Sequence, residues 1–251
     1  MSGQLARRHA LITGAGRGIG RATALQLSGA GVAVTLVARS EPELREVAHE
    51  IANRGGVAHV IVADVTDAPA VQRMVQEARR NGEIDICVNS AGTNRPGPTV
   101  ELATEDFDHV IDVNVRGTFL VCRSVGAAML AARRGGRIVN VSSQMGSVGY
   151  PGRAAYCASK HAVNGLTRAL GVEWAPDGIT VNAVAPTFID TPLTAPMLAD
   201  PAFRADVLRR IPLGRIGTVD EVASAILFLT LPEASLITGA ILPVDGGWVA
   251  W

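Results

Sequence analysis

Tyr156 and Lys160 stand four residues apart in a stretch, 154–174, whose apolar residues recur at helical spacing, so both side chains fall on one helix face about a turn apart. A phenol has an ordinary pKa of about 10, too high for easy proton loss near neutrality, and an adjacent ammonium is expected to lower it by stabilising the phenolate. Such a pair suits the giving or taking of a proton at an oxygen whose carbon gains or loses hydride. By itself Tyr-x-x-x-Lys is common in helices and more often marks a surface pair. Here the chain has 2 tyrosines, and Lys160 is its one lysine among 23 basic residues, so the lysine stands where arginine is no equivalent. No Ser/His/Asp or Cys/His grouping competes. The 5 histidines are dispersed without metal-ligand spacing, which makes His161 a helix-face residue and gives no expected metal site. Cys87, Cys122 and Cys157 are an odd number in apolar segments, read as small buried thiols and not as a disulfide framework.

These groups need a scaffold, and the chain supplies a repeated β-α pattern. Val/Ile/Ala-rich runs at 9–13, 32–38, 57–63, 84–89, 137–142, 180–184 and 240–244 read as strands, continuously apolar as in a parallel sheet covered on both faces. Between them lie amphipathic helical segments such as 19–29, 42–54, 69–81 and 219–229. The expected fold is α/β: a doubly wound (Rossmann) seven-stranded parallel sheet with helices on both faces, in a single domain over 1–251. Ligands in such sheets bind at the carboxyl ends of the strands.

The composition agrees with one domain. A chain of 251 residues, 48% hydrophobic, can bury one sizeable core. Its formal net charge is zero, without basic tail or acidic run, which argues against nucleic acid and anionic membrane surfaces. The apolar stretches read as strand-length, and the start lacks a signal-type apolar region, so cytoplasmic residence is expected.

Directly after the first strand comes Thr13-Gly14-Ala15-Gly16-Arg17-Gly18-Ile19-Gly20, opening a helix whose first N–H groups would face an anion. Glycines there let the backbone turn tightly and approach a pyrophosphate, and the strand before and helix after supply the context that a lone glycine cluster lacks. The spacing T-G-x-x-x-G-x-G, with Tyr156-x-x-x-Lys160, resembles the short-chain dehydrogenase/reductase family, and the resemblance runs from end to end of the chain. It implies an enzyme, an NAD(P)(H)-dependent oxidoreductase. Under it Asn114, Ser143, Tyr156 and Lys160 are the catalytic set: Tyr156 the acid/base, Lys160 also gripping the nicotinamide ribose, Ser143, thirteen residues before Tyr156, donating to the substrate oxygen, and Asn114 kinking a helix and holding a water that links Lys160 to solvent. Ser142 is the alternative, a strand-end residue facing the core.

The same resemblance implies a cofactor site of Gly14, Arg17, Gly18, Ile19, Gly20, Arg39, Ser40, Asp64, Val65, Asn89, Ala91, Gly92, Tyr156, Lys160, Pro186, Ile189 and Thr191. Asp64 would hold the adenine amino group. Asn89-Ser90-Ala91-Gly92 departs from the family's N-N-A-G at Ser90, which is expected to weaken one sheet-stabilising hydrogen bond. Ala38 occupies the place where NAD-preferring members carry Asp, and Arg39, with Arg17 nearby, could bind a 2′-phosphate. NADP(H) is therefore favoured; with Arg39 solvated and Glu41 on the ribose, NAD(H) would be usable. Pro186-Thr187-Phe188-Ile189-Asp190-Thr191 resembles P-G-x-x-x-T with Thr187 in place of Gly, and a β-branched residue there disfavours positive φ.

A lid is expected over about 187–215, with 192–210 its mobile part. The substrate pocket is assigned to Ser143, Met145, Tyr156 and Phe188, walled by Asn94, Arg95, Pro96, residues 144–150, Arg153, Met197, Leu198 and Phe203. Arg95 or Arg153 could clamp a carboxylate or could be merely solvated. Sugars, polyols or aldonates are the favoured substrates. One alternative is reduction of 3-oxoacyl groups on acyl carrier protein, met by Arg133-Arg134, although Asp177 stands where carrier-dependent members resemble one another in having arginine. The others are a broad-specificity ketone or hydroxysteroid reductase, and a silent nucleotide-binding scaffold. Resemblance also implies a homotetramer through helices in 100–133 and 154–174 and the tail 248–251.

Overall fold

The computed structural model describes residues 5–250. Along the chain run β1 (His9–Thr13), α1 (Gly18–Gly29), β2 (Ala33–Ala38), α2 (Glu41–Asn53), β3 (Ala58–Val62), α3 (Ala68–Arg79), β4 (Ile86–Asn89), α4 (Thr104–Ile111), a π-helical turn (Asp112–Gly117), α5 (Thr118–Ala132), β5 (Gly136–Val141), α6 (Ala154–Glu173), β6 (Ile179–Pro186), the short α7 (Ala195–Leu198), α8 (Pro201–Arg210), α9 (Val219–Thr230) and β7 (Ile241–Val244). All seven strands are parallel in the order β3-β2-β1-β4-β5-β6-β7. The order reverses between β1 and β4, and the crevice above that switch point is where such sheets take ligands.

Two apolar layers sandwich the sheet. One face packs Val71, Met74 and Val75 of α3 and Val121 and Val125 of α5 against Leu11, Cys87 and Ile138. The other packs Ala24 and Leu27 of α1 and Val222 and Ile226 of α9 against Ile12, Val34, Leu36 and Val88. Burial on both faces explains why the central strands are apolar without alternation. Edge strand β3 departs from that expectation: Val62 at its end and Val57 just before it are more than half exposed, their faces left without the apolar cover that the central strands have.

The helical run Thr104–Ala132 corrects the reading of apolar stretches as strand-length. It is long and apolar enough to cross a bilayer, yet half of its most apolar window is buried inside the fold, and its buried face belongs to the layer over β4 and β5. At the amino ends of the strands, buried Asp85 accepts hydrogen bonds from Arg8 (2.9 Å), Arg134 (3.3 Å) and the His9 backbone N–H (3.0 Å).

At the carboxyl ends, the glycine turn is held by backbone contact. A Cβ on Gly14, whose φ is +65°, would sit 2.8 Å from Ala91 N, and one on Gly20 would sit 2.2 Å from the Gly14 carbonyl oxygen. Both obstacles are backbone, which cannot rotate away. Gly20→Ala is therefore expected to push α1 off the loop, destabilising the protein by about 1–3 kcal/mol and weakening dinucleotide binding; thermal unfolding and a cofactor titration measure both.

Candidate active site

A cavity of about 630 Å³ opens above the carboxyl ends of β1, β2, β4, β5 and β6. Gly14, Arg17, Gly18, Ile19, Arg39, Ser40, Asp64, Val65, Ala91, Gly92, Ser143, Tyr156, Lys160, Pro186, Ile189 and Thr191, all singled out in the sequence, line it. A more open hollow of about 710 Å³ runs along edge strand β3 between Glu41 and Arg80. It holds none of these residues and lies away from the strand tips.

Lys160 is buried, and its ammonium donates to the Val141 carbonyl at 2.8 Å. It lies 5.5 Å from the centre of the Tyr156 ring. Loss of water pushes the Lys160 pKa down to about 8. Tyr156 does not follow the expectation of a lowered pKa. Burial, the largest influence, pushes it up to about 12, while the neighbouring Ser143 hydroxyl pulls the other way. An adjacent ammonium alone would lower it, but lost hydration outweighs every lowering influence on this phenol. In this state Tyr156 is a protonated donor throughout the neutral range.

Ser143 is buried at the tip of β5, where its hydroxyl donates to Gln144 Oε1 (2.8 Å) and accepts from the Met145 N–H (3.1 Å). Ser142 points the other way, as its alternative reading required, donating to Asn164 Oδ1 at 2.6 Å. Asn114 sits in the π-helical turn that joins α4 to α5, a local widening that often accompanies functional sites. Its side-chain amide donates to the Thr93 carbonyl (2.9 Å) and to Ser159 Oγ (3.0 Å) and accepts from the Thr93 N–H (2.8 Å). Ser159 in turn donates to the Tyr156 carbonyl at 2.7 Å. Asn114 thus ties the loop after β4 to the first turns of α6.

The arrangement fits a dinucleotide. Helix α1 begins at Gly18, with Arg17 before it making no side-chain cap and no acid in its first turn, leaving its N–H groups and positive dipole end to an anion. Arg17 and Arg39, largely exposed on the rim, lie 3.8 Å from Glu43 and Asp64 respectively. The acid beside the glycine loop is Glu43, which lines the cavity, whereas Glu41 is held by Arg45 at 2.8 and 2.5 Å and faces the β3 hollow. Asp64 accepts from the Thr66 N–H (2.9 Å) and hydroxyl (2.8 Å), and its pKa falls below the ordinary carboxylate value; burial works against that fall, and these bonds and Arg39 outweigh it.

Several assigned residues lie elsewhere. Asn89 turns into the core, donating to Asn140 Oδ1 at 2.9 Å and to the Cys122 sulfur, so it braces β4 and does not border the cavity. Gly20 acts by close packing behind the loop. Met145 and Phe188 belong to an apolar cluster with Val207, Ile211 and Trp248, against which Tyr156 packs. Arg95 is engaged by Asp106 at 3.2 Å. Arg133-Arg134 precede β5 and so stand at the amino end of the sheet, opposite the cavity. Cys157 is only partly buried, unlike Cys87 and Cys122. Thr187 avoids positive φ and joins the sheet through its N–H to the Val244 carbonyl at 3.2 Å. Trp248 packs on Tyr150 and Phe188 and is not among the cavity-lining residues, while Trp251 lies outside the described residues.

Sequence reasoning missed Glu43, the Val141 carbonyl and Thr194, whose hydroxyl is bonded to the Ile189 carbonyl and to Thr191. The first sits at helical spacing on α2 facing the loop. The other two carry no side-chain signal that spacing could reveal.

The comparisons are consistent with this geometry. A family model described as enoyl-(acyl carrier protein) reductase matches residues 14–249. Galactitol 2-dehydrogenase of Rhizobium johnstonii is 42% identical over 251 residues, covering 96% of this chain and 95% of that one. The 3-oxoacyl-(acyl-carrier-protein) reductase of Thermotoga maritima is 42% identical over 240 residues, covering 95% and 96%. The crystal structure of a gluconate 5-dehydrogenase from Burkholderia cenocepacia, in complex with NADP and tartrate, superposes with a TM-score of 0.95 at 36% identity, covering 99% and 97%.

A buried ammonium on one carbonyl carries a cost. With its pKa at about 8 against an ordinary 10.5, the folded chain binds fewer protons than the unfolded one between those values, so stability rises with pH across that window. Lys160→Met is expected to remove this rise. Denaturant unfolding of both proteins at pH 7 and near pH 10 checks it; a variant whose stability rises between those values as much as wild type contradicts it.

Proposed function

This chain belongs to the short-chain dehydrogenase/reductase family, and on that footing we propose that it is an NADP(H)-dependent oxidoreductase interconverting a ketone or aldehyde with the corresponding alcohol on a sugar, polyol or aldonate. The observation that carries the reading is that Ser143, Tyr156 and Lys160 border one cavity with the uncapped start of α1 and its glycine turn.

When bound, the nicotinamide supplies or accepts the hydride. In reduction, Tyr156, held protonated by burial, gives its proton to the substrate oxygen as charge gathers there. Ser143 and Tyr156 are preplaced donors that stabilise that charge more than they stabilise the ground-state carbonyl. Lys160 holds positive charge 5.5 Å from the centre of the Tyr156 ring and would take the ribose hydroxyls. Asn114 is a positioning residue for α6, through Ser159. Gly14, Gly18 and the first N–H groups of α1 would take the pyrophosphate, Asp64 and Val65 the adenine, and Pro186, Ile189 and Thr191 the nicotinamide side.

Arg17 and Arg39 would take a 2′-phosphate, exchanging their loose contacts with Glu43 and Asp64 for charge-assisted bonds. NAD(H) remains usable in this reading, with Glu43 the acid available to the ribose. Residues 187–215 form the lid, whose Phe188, Phe203, Val207 and Ile211 pack with Met145, Tyr150 and Trp248. Exposed Phe119 on α5 and Val172 on α6 support assembly as a homotetramer through those helices, and cytoplasmic residence completes the reading.

Orphaned polar atoms favour a polyhydroxylated substrate. Among the described residues, buried Asn94 Oδ1, Arg153 Nε and Thr187 Oγ1 have no hydrogen-bond partner. Thr187 lines the cavity, Asn94 lies between the cavity-lining Thr93 and Arg95, and Arg153 stands at the start of α6. A substrate with several hydroxyls offers partners to Thr187 Oγ1 on the cavity wall and to Asn94 Oδ1 beside it, and the hydrocarbon tail of an acyl group offers none. A second reading, reduction of 3-oxoacyl groups on acyl carrier protein, draws support from the Thermotoga relative; against it, Arg133 and Arg134 do not flank the entrance within the chain.

Sugars, alditols, aldonates, simple ketones and acyl thioesters assayed with both cofactors test the class; turnover confined to acyl thioesters selects the second reading. Tyr156→Phe should lower kcat by about a hundredfold or more while leaving NADP(H) affinity near wild type, and retained activity removes Tyr156 from the chemistry. Arg39→Asp should shift the kcat/KM ratio toward NAD(H) by about tenfold or more; an unchanged ratio removes Arg39 from the account.

A further inference from the structure

Arg153 takes no part in the steps above, yet it is among the most unusual side chains in the fold. It is 7% exposed and sits at the start of α6, three residues before Tyr156. A guanidinium carries five N–H donors. Here Nη1 donates to the Gly152 carbonyl (3.0 Å), Nη2 meets the Met197 sulfur (2.9 Å), and buried Nε has no partner. The centre of the Phe203 ring lies 5.9 Å from the guanidinium carbon. Among the described residues no carboxylate reaches it. Asp206 of α8 is held instead by Tyr150 (3.1 Å), Arg209 and Arg210 (2.9 Å). Burial pushes the Arg153 pKa below the ordinary arginine value, opposed by nearby Tyr150, Cys157 and Tyr156.

A charge removed from water without a counter-charge is unfavourable, and its planar fork matches a carboxylate. The location restricts what could supply one. Arg153 is not on the cavity wall itself but stands next to it, close enough to the cavity-lining Tyr156 to lower its pKa and in contact with Met197 and Phe203 of the lid, so a substrate group extending past Tyr156 toward the lid would meet it. Arg95, the other candidate clamp, already has Asp106. We propose that Arg153 is a specificity-determining residue that binds a substrate carboxylate, and that the substrates are small hydroxy or oxo carboxylates of the aldonate class, in preference to neutral sugars and polyols. This rests on the oxidoreductase reading of the site and narrows it.

The test uses NADP-saturated protein and four- to six-carbon aldonates, each beside its uncharged alditol, in calorimetric titration and in steady-state turnover. Wild type should bind its best aldonate at least about tenfold more tightly than the matching alditol. Arg153→Met should weaken the aldonate by about a hundredfold and bring the ratio near one, and Arg153→Lys, which keeps charge without the fork, should fall between them. Because the replaced charge is unpaired, Arg153→Met should unfold at a temperature no lower than wild type, which separates lost recognition from misfolding. A wild-type ratio near one, or equal losses for aldonate and alditol, overturns the proposal and leaves Arg153 a prop beneath the lid. Turnover of neutral sugars without carboxylate preference defeats this inference alone. Arg153-dependent aldonate binding without turnover of any tested alcohol or carbonyl leaves the carboxylate site standing and defeats the oxidoreductase reading.

Discussion

An ammonium held out of water against one carbonyl is the constraint around which this site is built. Lys160 is anchored by Val141 at the tip of β5 and lies over the Tyr156 ring. Removing it from solvent costs stability, and the surroundings keep it in place by several independent means. The two apolar layers fix β5 between β4 and β6. Ser142 bonds Asn164 and approaches the Lys160 carbonyl (3.4 Å), pinning the middle of α6 to the strand tip. Asn114 and Ser159 pin its beginning to the loop after β4. An unfavourable charge persists only where the structure over-determines its position, and such groups gather at working sites.

The sheet was legible because its strands are buried on both faces, so that apolar runs bounded by turn residues have few other readings. Edge strand β3 shows the limit: the same composition was read at 57–63, and Val62 nonetheless faces water. The glycine turn was legible for a different reason, since Gly14 and Gly20 answer local backbone demands that sequence spacing expresses directly. What escaped was long-range. The π-helical turn at Asn114 leaves no signature in residue type. The sign of the Tyr156 shift depends on hydration lost to neighbours brought from β5 and the lid. Arg133-Arg134 could be placed near the entrance only until strand order put them at the other end of β5. Arg95 and Arg153 looked alike in sequence and differ in burial and in whether an acid lies within reach.

That last contrast extends to every arginine around the cleft, and exposure decides what each can do. Arg17 and Arg39 sit on the rim with carboxylates at 3.8 Å, contacts that solvent and salt weaken to little net energy. They can exchange a protein carboxylate for an arriving phosphate at almost no cost in stability, so their discrimination is electrostatic and should soften as ionic strength rises. Arg153 is in the opposite regime. Already desolvated, it can gain a full charge-assisted bond from a ligand that sheds its own water, and salt has little access to screen the contact. One residue type therefore supports two kinds of recognition, on the cavity rim and beside Tyr156 under the lid. At the rim it tolerates alternatives, consistent with a cofactor site that could accept either dinucleotide. Beneath the lid it penalises any occupant that leaves the guanidinium unpaired, and selection among substrates is strongest where that penalty is largest.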